Sequence, residues 1–299
     1  MARFNNVLLT GYVTMSEVHT NAQGESFALA YVTVARPDRN VGDGKDHMKC
    51  DCPVVMTRDP ELIRKMSEWK QYDIVQIKGV VACKRVTKVS FCPKCNNANR
   101  PEGVLVFVNP IHLMKFNPFD KKPGEENTQE ECLQFLAQNR EISNSFIASG
   151  TLCTDPKTKI LKSGVFVSQY QIALRRSWRD PFAPPEERTD FPWIKSYGEL
   201  AESDADYLQK GAEVIIDGCL QARRVQRHTI CPNCGTKYDW VDNALEGVPF
   251  STEYVAGHKT QEEIEAAKLK EKTDKLRGLA DLLASTASGN KEPDDDFTD

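Results

Sequence analysis

The 299-residue sequence contains no run of about 18 apolar residues, the length a membrane-spanning helix requires. Its opening, MARFNNVLLTGYVT, has no basic segment followed by a long apolar one, so a cytoplasmic location is expected. The GxxxxGK[ST] loop that cradles nucleotide phosphates is absent, and the five histidines are dispersed. No nucleophile with a base and no strand-borne carboxylate cluster stands out, so the chain is not expected to be an enzyme. An overall excess of base is lacking too. The formal net charge of −4 argues at first sight against a phosphate polymer as partner. That average misleads, because the last nine residues, KEPDDDFTD, carry five acids and one lysine and account for the whole deficit.

What the sequence does contain, it contains twice. The stretch Gly79 to Cys95, GVVACKRVTKVSFCPKC, recurs as Gly218 to Cys234, GCLQARRVQRHTICPNC, with glycine, basic cluster and CPxC in register. Gly11 and Gly150 show the same offset of 139 residues. In each copy, apolar alternation gives five short strands with one helix between the third and fourth, the order of an OB barrel. The expected fold is mainly β: two tandem OB-fold barrels with CPxC hairpin insertions, a C-terminal helix and a disordered acidic tail. The expected boundaries are 1–116 and 143–258 for the barrels, 117–142 for a linker with a short helix, 259–286 for the helix and 287–299 for the tail. Local signals support the helices. Asp59 with Pro60 caps DPELIRKMSEWKQ, whose Leu62, Ile63 and Met66 make a buried stripe, and AESDADYLQKG is the matching helix of the second copy. Thr128 with Glu131, and Thr260 with Glu263, form capping boxes.

Four of the ten cysteines form the two CPxC pairs, a spacing suited to a metal and a reducing compartment. A closed structural zinc site needs four ligands, so Cys92, Cys95, Cys231 and Cys234 sharing one zinc between two hairpins is the simplest solution. Separate sites, for example His228 with Cys231 and Cys234, sites shared between chains, or no metal remain as alternatives. Cys50, Cys52, Cys83, Cys132, Cys153 and Cys219 have no counterparts at matching positions and read as ordinary thiols. A redox role fits poorly, since such a pair normally opens a helix.

The second copy also holds a constellation suited to single strands. Arg175, Arg176, Trp178 and Arg179 cluster at a strand end, and Trp193, Lys195 and Tyr197 alternate along the next strand, which puts them on one face. Flat rings there would stack on bases while cations follow phosphates, and Arg223, Arg224 and Arg227 extend the cationic track along the basic strand. In the first copy Arg36, Arg39, Lys84, Arg85 and Lys88 are the candidate phosphate contacts, with Tyr31 or Phe27 as platforms.

SWRD at Ser177, DFPWIKSYG with Trp193, GELAE, YLQKG and IDGCLQAR together resemble the bacterial single-stranded DNA-binding protein family over residues 143 to 228. The first copy matches less well, having Pro53 and Val54 where the second has Pro192 and Trp193. The resemblance implies a sequence-independent coat for single-stranded DNA in replication, recombination or repair, working as a monomer or homodimer in a bacterial cell or encoded by a phage or other mobile element. It also implies that the acidic tail recruits replication or repair proteins through Asp294, Asp295, Asp296 and Phe297, although here Thr298 and Asp299 follow the ring. An RNA-binding OB protein and a zinc-bearing accessory subunit of a replication enzyme are the rival readings.

Overall fold

The computed structural model describes residues 4–21, 24–37, 48–122, 124–175, 178, 181–182 and 189–288. The first repeat runs β1 (Asn5–Thr20), β2 (Ser26–Ala35), β3 (Cys50–Asp51), β4 (Val54–Thr57), α1 (Pro60–Ser67), β5 (Ile74–Thr87), β6 (Ser90–Phe91), β7 (Ala98–Asn99) and β8 (Glu102–Phe116). After α2 (Gln129–Gln138), the second runs β9 (Asn144–Leu152), β10 (Lys157–Ile160), β11 (Phe166–Arg175), β12 (Thr189–Asp190), β13 (Trp193–Tyr197), α3 (Glu199–Tyr207), β14 (Glu213–Ile230) and β15 (Lys237–Ala256). The chain forms two compact units, residues 1–258 with both OB barrels and residues 259–299 with α4 (Gln261–Ser288). The tail from 289 onward lies outside the described residues.

Capping chemistry places the helices. Asp59 accepts from the N–H groups of Glu61 and Leu62, Pro60 occupies the first turn, and Leu62 and Met66 are buried. Both capping boxes form, at Thr128 with Glu131 and at Thr260 with Glu263. The helix α3 starts two residues before the expected stretch, because Gly198 adopts φ 61° and turns the chain into it. It ends at Tyr207, where Leu208 becomes extended and buries its side chain in the core.

The two repeats join through their first strands. β1 and β9 pair antiparallel with Val7 opposite Phe146, and these two are equivalent positions 139 apart. Pairing equivalent strands about equivalent residues creates a local twofold axis, and one apolar core spans both barrels around it. The symmetry extends to polar groups. Asn5 bonds both backbone groups of Val81, and Asn144 does the same to Leu220.

The repeated glycines sit where strands crowd. A Cβ on Gly11 would lie 2.1 Å from the Thr33 carbonyl oxygen, and one on Gly218 would lie 2.1 Å from that of Val248. Gly79 and Gly218 each fall at a register shift opposite Pro110 and Pro249. We expect Gly218→Ala to cost about 3 kcal/mol in urea unfolding, whereas Gly278→Ala in α4, with no atom within 4 Å of the new Cβ, leaves stability the same or slightly higher. Equal stability of Gly218→Ala and the parent would contradict the close approach.

Candidate nucleic-acid interface and four-cysteine cluster

Alternation along β13 separates two environments. Ile194 and Ser196 point inward and are fully buried, while Trp193 and Tyr197 are half-buried on the outer face with Lys195 between them. Lys195 is 7% exposed, and its ammonium stands 5.3 Å from the Tyr197 ring centroid. Burial, with Arg223 nearby, pulls its pKa below the ordinary lysine value, and Glu246 opposes that shift. Glu246 is itself buried and held by Arg223 through two 2.6 Å bonds. The rings therefore rest on a compensated set of charges.

The register brings in residues that the sequence reading missed. Gln169 of β11 faces both Lys195 and Lys157, and Val167 faces both Tyr197 and Lys159. Residues paired across strands share a face, so the exposed Lys157 and Lys159 of β10 border the same surface as the two rings. The only sequence signal for them is the alternation in KTK.

The other expected contacts divide into three groups. Arg175, Arg224 and Arg85 are exposed and Trp178 is half-buried. Several cations have acidic partners: Arg36 pairs with Asp51, Arg223 with Glu246, and Lys88 and Arg227 both with Asp242, while Lys84 is half-buried. Arg39, Arg176 and Arg179, like Asp294, Asp295, Asp296 and Phe297, lie outside the described residues.

The equivalent face of the first barrel is apolar. Val54 and Met56 stand where Trp193 and Lys195 stand in the second, and Phe107 stands where Glu246 does. Together with half-buried Phe27, Leu29, Tyr31 and Leu105 they form a separate hydrophobic cluster. The candidate platforms Tyr31 and Phe27 thus lie in an apolar surface, not a cationic one.

Beyond the barrels, β5 with β8 and β14 with β15 extend as two long hairpins ending in the CPxC turns. Each turn closes by a backbone bond, from Asn96 to Cys92 and from Gly235 to Cys231, both 2.9 Å. The residue after the second cysteine takes positive φ, 53° at Asn96 and 68° at Gly235, which explains the asparagine and glycine there. Reciprocal bonds join the hairpins, Ser90 to Tyr238 and Asn99 to Thr229, again equivalent pairs. The four Sγ atoms of Cys92, Cys95, Cys231 and Cys234 lie within 4.8 Å of one another. The contacts between repeats are 3.7 Å for Cys92 with Cys234 and 3.5 Å for Cys95 with Cys231. Metal–sulfur bonds of about 2.3 Å in a tetrahedron put sulfurs about 3.8 Å apart. The four ligands therefore fit one ion. Thr236, with its hydroxyl 3.2 Å from Sγ, lowers the Cys234 thiol to about 6, whereas burial pushes the neighbouring Cys231 thiol up to about 11.

Residues 143–231 match the model described as "Single-strand binding protein family". Two crystal structures of the single-stranded DNA binding protein from Thermus aquaticus share the fold. The wild-type structure aligns with TM-score 0.57 at 14% identity, over 87% of this chain and 97% of that one. A deletion mutant aligns with TM-score 0.56 at 16% identity, over 88% and 100% respectively. No helix among the described residues is long and apolar enough to cross a membrane.

Proposed function

We propose that this chain binds single-stranded DNA without reading its sequence, and that it acts as a coat and not as an enzyme. The observation that carries this reading is the outer face of β13, where Trp193 and Tyr197 present half-exposed rings beside cations. Bases stack on the rings, and Lys157, Lys159 and Arg175 neutralise phosphates along the track. Stacking is indifferent to base identity because every base has a flat face. The buried Lys195 and Glu246, with the half-buried Arg223, hold the surface in shape and contribute less to phosphate contact. In the first barrel, Arg85 and the apolar surface around Tyr31 supply weaker contacts. The match to the single-strand binding family over the second barrel supports the same reading.

We further propose that Cys92, Cys95, Cys231 and Cys234 hold one zinc ion, which supplies a structural crosslink between the two hairpins. The tail residues Asp294 to Phe297 are proposed to engage replication or repair proteins, leaving the two barrels for DNA.

The direct test is titration of the protein with a thymidine oligonucleotide, following tryptophan emission at several salt concentrations. Quenching on binding is expected, with affinity falling as a power of salt concentration as counterions are released. Equal affinity for duplex DNA, or unchanged emission, would reject the reading, and tighter binding to the matched RNA oligomer would redirect it to RNA.

A further inference from the structure

Two hydrogen bonds cross between the repeats at equivalent places. Asp51 of the first barrel accepts from the Ala222 N–H of β14 at 3.0 Å, and Asp190 of the second accepts from the Cys83 N–H of β5 at 2.6 Å. Both carboxylates are buried, at 3% and 0% exposure, where an unpartnered charge would be costly. Each bond ends beside the aromatic face. Asp190 lies three residues before Trp193, and Ala222 lies between Gln221 and Arg223.

Arg36 extends the first of these bonds to Tyr197. Its Nε and Nη2 donate to the two oxygens of Asp51, each at 2.8 Å. With the Gln221 amide oxygen turned toward the guanidinium, Nη2 and Nη1 reach it at 3.1 and 3.2 Å. The amide nitrogen then donates to the Tyr197 hydroxyl at 3.2 Å, which satisfies both ends of the amide. The chain of bonds runs from Asp51 through Arg36 and Gln221 to a ring on the face of the other barrel. The planar fork is committed to a carboxylate and an amide, and only 22% of the Arg36 side chain is exposed.

We infer that Arg36 is a positioning residue: the first barrel uses it to hold Tyr197 of the second in the orientation that receives a nucleobase. This rests on the single-strand reading above, and it gives the first barrel a role in binding that does not require its own face to touch DNA.

Salt dependence and charge-conserving substitution separate positioning from phosphate contact. Arg36→Gln and Arg36→Lys are each expected to weaken binding of a thymidine oligonucleotide by about tenfold, with the slope of log affinity against log salt unchanged from the parent. Lysine keeps the charge but cannot serve Asp51 and Gln221 together, so it does not rescue. Combining either change with Tyr197→Phe should cost no more than the larger single effect. Gln221→Met breaks the same relay without stranding Asp51, so it remains informative if the Arg36 variants unfold, and it should reproduce their loss. A slope reduced by about one in Arg36→Gln and restored in Arg36→Lys would make Arg36 a phosphate contact and overturn the inference. Unchanged affinity in folded Arg36→Gln or Gln221→Met would overturn it equally. Failure of the parent protein to bind the oligonucleotide would instead reject the single-strand reading itself.

Discussion

Replacing Trp193 with alanine is expected to weaken binding of a thymidine oligonucleotide by about 5- to 150-fold, the loss of one stacking platform worth roughly 1 to 3 kcal/mol. The indole is half-buried and the strand is fixed on both sides by β11 and β15, so removing it empties a platform without opening the core. The salt slope should stay at the parent value, because a ring releases no counterions. Two comparisons sharpen the result. Trp69→Phe, in the apolar core at 8% exposure, should alter stability and leave affinity near the parent's. Lys157→Ala combined with Lys159→Ala should lower the slope by about two while costing less affinity at high salt. If Trp193→Ala binds like the parent, the outer face of β13 is not where the bases lie.

The second large effect concerns the cysteines. The purified protein is expected to carry one zinc per chain by mass spectrometry, and Cys92→Ser or Cys231→Ser should each abolish it, although the two residues belong to different repeats. Chelation or either substitution should lower the melting temperature by about 10 °C, which corresponds to a few kcal/mol at this size. That is less than the apparent 10 to 16 kcal/mol of small zinc-dependent folds, because the apolar core shared by the two barrels forms without the cysteines and only the hairpins depend on the ion. With no cation, the four converging sulfurs would leave the Cys234 thiolate among poorly paired thiols, so the apo hairpins should separate. Two ions per chain, or one ion surviving Cys231→Ser, would reject the shared site.

Much of this architecture is legible before any coordinates. The constant offset of 139 residues carries the twofold relation, since equal spacing of glycines and cysteine pairs means equal barrels. CPKCN and CPNCG encode turns that point two thiolates the same way, and the residue after each pair carries the positive φ. The caps at Asp59, Thr128 and Thr260 are local interactions, settled within four residues. Alternation alone puts Trp193, Lys195 and Tyr197 on one face.

Partner choice among the charges is not local. Lys88 finds Asp242 at a separation of 154 residues, and Arg223 finds Glu246 only because β14 and β15 pair in one particular register. Composition treats Lys195 and Lys157 alike, yet one is buried beneath a ring and the other exposed at the border. The sequence by itself determined the repeated unit, its strand order, its turns and its paired cysteines, because these rest on short-range periodicity and stereochemistry. Only the tertiary structure decided which cations stay free, that the first barrel's outer face is apolar, and that Asp51 and Asp190 reach across. Those outcomes depend on strands distant in the chain meeting at one register, where burial forces every charge to find a partner.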